Sequence, residues 1–538
     1  MHPAAVPRQR KNKLLVRGYF LLVLHTHLPF IRHPEYPDFL EEDWFYEAMN
    51  ECYLPLLIRF RRLKEKGMRF RITMSLTPPL CNMLQDPMLM ERYQKKLEGL
   101  IELTDRERHR MKDDFRFRDA ARMYHSRLRE IHAFFLSTRR NIIEAFKDLK
   151  EHIEVITCGA THGFFPLMLG EDEIKWQVRV AAEDYRRRFG RSPRGIWLPE
   201  CGYDPRCEKY LSQEKIKFFF LDTHGILYGE PQPRYLVYAP VYTPEGLAAF
   251  ARDPESSMQV WSGDVGYPGD FRYREFYRDV GYDAPYEYIK DFLHTDRLRR
   301  YLGLKYYRIT GKVALDKKEP YVPQWAQEAA SEHARNFHFC REKQLEYLSR
   351  QLDRPACVVA PFDTELFGHW WFEGPDFISY FIEEVNRHKR MEMITPVEYL
   401  EMFPDNQIQK PNISTWGDRG YNEVWINGTN DWVYRHLHFA AEKYRELAAR
   451  FPDASGLKLR AMNQYLRELL LAQSSDWAFI ITCNTAVSYA EKRTRDHVWN
   501  CLELYRQIRD ERLSEPFVRD LEWKHNIFPW LDYRPIVR

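Results

Sequence analysis

Two carboxylates in this chain stand at the ends of apolar runs. Glu200 follows Gly195-Ile-Trp-Leu-Pro199 and is succeeded by the chain breakers Gly202 and Pro205; Asp363 follows Cys357-Val-Val-Ala-Pro-Phe362 and precedes Thr364-Glu365. Short apolar runs bounded by such residues read as buried strands. Two carboxylates delivered by two strands to one mouth suit glycosidic bond chemistry. One attacks or stabilises the anomeric carbon, while the other, kept protonated by its surroundings, protonates the leaving oxygen. Either carboxylate alone reads as well as a helix cap or an arginine partner; the joint pattern points to catalysis.

A second group lies in His25-Thr-His27. On a strand, side chains alternate, so both imidazoles share one face. They read as half of a metal site completed by His162 or Asp222, as neutral donors to sugar hydroxyls, or as satisfied core histidines. No Glu-x-x-His or Cys-x-x-Cys accompanies them, and neither a metal nor a cofactor is expected.

These residues need elements to hold them. Seven runs end in polar residues: "YFLLVLHTH" at His25 and His27, "FRITMSLTPP" at Thr77, "IEVITCGATHG" at His162, "GIWLPE" at Glu200, "FFFLDTH" at Asp222 and His224, "CVVAPFDTE" at Asp363 and Glu365, and "MEMITP" at Thr395. Helical periodicity fills stretches between them, as at 172–188 and 327–352, and strands alternating with helices imply a parallel sheet. Polar residues at the C-terminal ends of buried strands are what a β/α barrel requires. An open doubly wound sheet fits less well, because no glycine-rich phosphate turn follows any strand. Residues 85–150 are charged, helical in pattern and longer than a barrel connection, so they read as an inserted helical subdomain. Beyond 410 the strands cease. The expected organisation is a catalytic barrel over 1–84 and 151–410, the insertion at 85–150, and a helical C-terminal domain over 411–538.

Composition excludes several functions. Lys+Arg 81 against Asp+Glu 78 gives a net charge of +3 without long single-sign blocks, so no nucleic-acid or membrane footprint is expected. No apolar run approaches the ~20 residues that span a bilayer, and "MHPAAVPRQRKNK" lacks the apolar core of a secretory signal. The nine cysteines are scattered singly. A cytoplasmic protein, monomeric or a small homo-oligomer, is the expectation. Aromatic residues make up 15% of the chain, with 14 Trp, and several fall in polar stretches where flat rings suit the apolar faces of sugars.

Five ordered stretches, "HTHLPF" (25–30), "GATHGFFPL" (159–167), "GIWLPECGY" (195–203), "APFDTELFGHWWFEGP" (360–375) and "NQYLRELLLAQSSDWAF" (463–479), resemble the motifs of family 57 of the glycoside hydrolases. The similarity runs from about residue 18 to the C-terminus and is strongest to the 1,4-α-glucan branching enzymes and their relatives described as α-amylases. The resemblance implies a distorted, TIM-like (β/α)7 barrel and a retaining mechanism on α-1,4-glucans such as amylose and glycogen. It implies Glu200 as nucleophile and Asp363 as general acid/base. His25, His27 and His162 match substrate-contacting histidines, Trp416 and Trp425 match aromatics along the glucan path, and Asp476 with Trp477 falls in the motif that the C-terminal domain lends to the site. Trp44 is a further candidate for that path. Branching enzymes of the family carry a tyrosine on a loop over the site; the corresponding 243–257 here has none, and Gly246, Ala248 and Ala249 suggest a small mobile lid that admits water. Two other classes stay open: an α-amylase-like hydrolase apart, a zinc-dependent polysaccharide deacetylase using His25, His27 and an aspartate, and a glucan-binding protein without catalysis.

Overall fold

The computed structural model describes residues 16–263 and 265–538. The N-terminal stretch read above for a secretory signal, residues 1–13, lies outside them. The longest run of the barrel is β1, Gly18–Thr26, buried along its whole length as expected of a strand covered on both faces. Parallel to it lie β2 (Ile72–Leu76) on one edge and β8 (Ala356–Asp363) on the other, and β3 (Ile153–Ile156) extends the sheet beyond β2. A second sheet holds β4 (Gly195–Ile196), β5 (Phe218–Leu221), β6 (Val241–Tyr242) and β7 (Ala248–Ala251) in the order β4-β5-β7-β6.

Two contacts join the sheets into a ring. Thr157, just past β3, bridges in parallel to Ile196 of β4, and the amide of Asp253, just past β7, donates to the carbonyl of Val359 in β8 at 2.8 Å. Seven parallel strands therefore run β1-β2-β3-β4-β5-β7-β8 and back to β1, a distorted β/α barrel. The short β6 pairs antiparallel with β7, and β9 (Met391–Met393) pairs with the first residues of β1.

This ring corrects two expectations. The place expected of "MEMITP" is taken by Ala248–Ala251, and within the 243–257 stretch read as a mobile lid those four residues are a fully buried strand paired with β5 from Phe218↔Ala248 to Leu221↔Ala251. Alanines carry little strand signal of their own. Ala248, on the inward face, nevertheless leaves room for Phe218, Phe220 and Phe250, which meet at centroid distances of 5.7–6.1 Å. Gly246, at φ +80°, makes the turn from β6 into β7, at the N-terminal end of β7 and so away from the strand ends where Glu200 and Asp363 lie.

Alternation along each strand sorts core from site. Tyr19, Leu21 and Val23 fill the barrel interior together with Trp197, Phe218, Phe220, Phe250, Cys357 and Val359. The same parity carried two residues further gives His25 on β1, Asp222 after β5 and Arg252 after β7, and carried four beyond Val359 it gives Asp363 at the end of β8.

Outside the ring, helices Pro87–Arg110 and Arg118–Ser137 pack side by side. Asp86 caps the first of them by accepting from the Leu89 amide at 3.0 Å. Between β7 and β8, residues 265–322 carry only short helical turns and lie over this pair: the Tyr124 hydroxyl donates to the Lys305 carbonyl at 2.9 Å. Helices Asp431–Arg450, Gly456–Ala472, Ser475–Cys483 and Val487–Arg509 form the C-terminal bundle. Gly456–Ala472 is buried on all sides over its second half. Its end is pinned to the barrel mouth by the Ser475 amide donating to the His162 carbonyl at 2.9 Å. Among the described residues no helix is long and apolar enough to cross a membrane, and all nine cysteines are free.

Candidate active site

At the C-terminal ends of the strands lies a cleft of about 720 Å³ whose wall includes His25, His27, His162, Glu200, Asp363 and Trp416. Glu200 sits on a single tight turn after β4, with φ 61° and ψ 26°. His162 (φ 59°) and Cys201 (φ 49°) are left-handed as well. Such backbone costs free energy in a residue with a Cβ and persists only where neighbours enforce it. Here they do. Trp416 donates its amide to the Glu200 carbonyl at 3.1 Å and its indole Nε1–H to Glu200 Oε2 at 2.9 Å. The other carboxylate oxygen, Oε1, accepts from Ser475 Oγ at 2.9 Å.

From Ser475 a chain of polar contacts runs back across the mouth. His162 Nδ1 is 2.7 Å from Ser475 Oγ, His25 Nε2 is 3.0 Å from His162 Nε2, and Ser75 Oγ is 2.6 Å from His25 Nδ1. With the Ser475 proton directed at the carboxylate, one arrangement satisfies every member: His162 donates from Nδ1, His25 donates from Nε2, and Ser75 donates to His25. Both imidazoles are then neutral. Burial holds both well below the ordinary histidine range, reinforced at His25 by His162 and then His27 and at His162 by His27 against the opposing pull of Asp476. Trp197 stacks on His25 at 4.8 Å and completes its enclosure.

His27 differs. Burial opposes its charge, but Asp476, with carboxylate oxygens at 3.0 and 3.1 Å from Nε2, outweighs that and raises it. Its Nδ1 meets Thr77 Oγ1 at 3.0 Å. Asp476 is driven down to about 2, burial working against this and the nearby His27 charge prevailing, and it also accepts from Ser474.

Both strand-end carboxylates are raised, but their surroundings differ. Glu200 is raised by burial, but its hydrogen bonds from Trp416 and Ser475 pull the other way. Asp363 is pushed well above the carboxylate range by burial first and then by Glu365 and Glu200; among the described residues no side chain donates to it. Glu365, itself raised to about 7 by burial, accepts from the Tyr53 hydroxyl at 2.6 Å. One carboxyl is thus placed to keep a proton beside another that is hydrogen-bonded as an anion, the division of labour that acid-assisted glycosyl transfer needs.

The sequence candidates are not all in the cleft. Trp416 and Trp425 line it, although Trp425 is almost fully buried and stacks on Phe164 at 4.6 Å. Trp477 is buried and donates to the Leu471 carbonyl at 2.8 Å, holding the helix start that presents Ser475 and Asp476. Trp44 lies edge-on to Tyr489 at 5.8 Å and, like Trp477, is outside the cleft lining. Asp222 is tied to Arg252 at 3.2 Å. Ser75, Arg252, Trp261, Glu365, Trp370 and Ser475 join the site without having been singled out as site residues from sequence. Parity would have found three of them: Ser75, one step down from Thr77; Arg252, two beyond Phe250; and Glu365, two beyond Asp363.

Among the described residues two groups have atoms close enough for a metal: His27, His162 and Asp476 near the cleft, and the buried Glu468, His497 and His525. In the first, the imidazoles of His27 and His162 stack at 3.8 Å with planes 15° apart. Nitrogen lone pairs lie in the ring planes, so parallel stacked rings do not converge on one ion. In the second, each histidine Nδ1 is 2.7 Å from a Glu468 oxygen, and Asn500 and Gln464 donate to the same carboxylate at 3.0 and 2.8 Å, so its oxygens are taken up by protein donors.

Comparison with known proteins places these residues in a family context. The sequence model of glycosyl hydrolase family 57 matches residues 21–349, and one described as 1,4-alpha-glucan branching enzyme, C-terminal, matches residues 436–535. A 1,4-alpha-glucan branching enzyme of Thermococcus kodakarensis is 32% identical, the match covering 97% of this chain and 78% of the relative. Among solved structures, the alpha-amylase AmyC from Thermotoga maritima superposes with a TM-score of 0.91 at 44% identity, covering 97% of this chain and 99% of that one. The GH57-type branching enzyme from Pyrococcus horikoshii does so at 0.87 and 31%, covering 97% of each chain.

Proposed function

Because the chain belongs to glycosyl hydrolase family 57, we propose that it is a retaining transglycosidase of α-1,4-glucans, a 1,4-α-glucan branching enzyme. The observation that carries the mechanism is the contrast between Glu200, held by two donors, and Asp363, held by none and pushed toward its neutral form. In the first step Glu200 attacks the anomeric carbon, the bond to the glycosidic oxygen breaks with its electron pair going to that oxygen, and Asp363 gives it the proton. A glycosyl ester on Glu200 results. In the second step the Asp363 carboxylate takes the proton from a glucan 6-hydroxyl, which displaces Glu200 and closes an α-1,6 bond. His25, His27, His162 and Asp476 shape the floor on which the sugar sits, with Trp416 and Trp425 as aromatic walls. A cytoplasmic role in building glycogen accords with nine unpaired cysteines.

A second reading has its own support. The α-amylase from Thermotoga maritima is similar over nearly the whole of both chains at 44% identity. If water takes the place of the 6-hydroxyl, the same two steps give hydrolysis. Incubating amylose with the protein and measuring new α-1,6 linkages by NMR beside new reducing ends separates the readings. Branching predicts linkages in excess of ends; ends without linkages would make the protein an α-amylase.

A further inference from the structure

Beyond the cleft, exposed rings form a line that the chemistry above does not use. It starts at Trp370, which lines the cleft and is 59% exposed. Phe276 lies flat against it, the centroids 4.7 Å apart and the planes 16°. Tyr277, 60% exposed, meets Phe276 edge-on at 5.2 Å. Beneath them the buried Lys305 Nζ ties the two ring groups together, 4.3 Å from the Phe276 ring centre and 4.8 Å from that of Tyr301, and Tyr282, 51% exposed, meets Tyr301 at 5.2 Å.

A row of large rings at least partly left in water marks a binding surface. Several features select its ligand. The members are aromatic rather than aliphatic, and all but Phe276 carry a polar handle, so they offer flat apolar faces beside N–H and O–H groups. The alternating C–H faces and hydroxyl edges of a glucan match that combination. The cation beneath the rings, Lys305, donates to the Phe276 carbonyl and sits against two of them, which leaves no bare charge to attract an anionic partner. The line is also continuous with the cleft through Trp370. Its base is fixed: Arg274 pairs with Glu51 at 2.7 Å, and Glu51 with His369, the neighbour of Trp370, at 2.8 Å.

We propose that Trp370, Phe276, Tyr277, Tyr301 and Tyr282 form a track that holds an α-glucan chain after it leaves the cleft. The proposal rests on the α-glucan reading given above. A chain bound on the track re-enters the cleft at high effective concentration, so the track favours long chains over short ones.

The test replaces the three tyrosines outside the cleft, Tyr277→Ala, Tyr282→Ala and Tyr301→Ala, singly and together. Retardation in native gels containing amylose and the KM for amylose are measured beside the rate on 4-nitrophenyl α-maltotetraoside, a short activated donor. The triple variant should bind amylose about three- to tenfold more weakly, as expected for lost ring contacts, with the KM rising alike and the rate on the short donor unchanged. Unchanged amylose binding and KM would overturn the track and leave the function standing. An equal loss on the short donor would overturn it too, by showing damage to the cleft. Should the unmodified protein neither bind amylose nor act on either substrate, the α-glucan reading falls and the track with it.

Discussion

His25 and His162 face each other through their Nε2 atoms at 3.0 Å, so the two nitrogens share one proton. A second would set two N–H groups against each other. The pair reaches Glu200 Oε1 through Ser475, so in the proposed mechanism Ser475 is the positioning residue through which two buried rings act on the nucleophile. Replacing it with alanine removes a hydrogen bond to a charged group. The expected cost is about 1.5–3 kcal/mol, or roughly ten- to hundredfold in kcat. Because that bond lowers Glu200, the acid limb of the pH profile should move to higher pH in Ser475→Ala and return in Ser475→Thr. A profile that drops in height without shifting would leave Ser475 a packing residue.

In the proposed mechanism Asp363 must be protonated to act as acid, so activity is expected to fall as pH rises through its folded-state pKa. Burial, then Glu365 and Glu200, raise that pKa; Arg252 opposes and Asp476 adds to the rise. Removing one negative neighbour lowers it. Glu365→Gln should therefore move the alkaline limb of kcat/KM to lower pH, as measured on amylose across the neutral range where Glu365, at about 7, changes charge. An alkaline limb that stays in place would show that Glu365 does not tune Asp363.

What could be read from sequence followed the physics of strands. Long apolar runs with polar ends announced β1, β8 and their His25 and Asp363, because a strand buried on both faces needs a continuous apolar run. β7 stayed hidden, since Ala-Ala-Phe-Ala has the volume the barrel wants but little of the pattern that marks a strand. Ser475 was equally hard to find: a hydroxyl beside Asp476 gains its meaning only when the C-terminal bundle docks against His162 and Glu200. The misplaced lid has the same origin as the missed strand, the glycine and alanines of 246–249.

Ala249 is fully buried and paired with Phe219, so a tyrosine there cannot act as a lid. Ala249→Tyr should overpack the barrel and destabilise it by about 1–3 kcal/mol or more, read as a lower urea midpoint, with no gain in α-1,6 linkages per reducing end. A variant of unaltered stability and raised branching would return this segment to the role of a loop over the site.

The central claim, that Glu200 carries the sugar and Asp363 the proton, is tested most directly by trapping the ester. Asp363→Asn is given α-maltotetraosyl fluoride, whose leaving group needs no acid, so the first step proceeds while the second lacks its base. Digestion and mass spectrometry should then find a maltotetraosyl group on the peptide containing Glu200, and none after Glu200→Gln. An adduct on another residue, or steady consumption of the fluoride with no adduct and inverted product, would contradict the account.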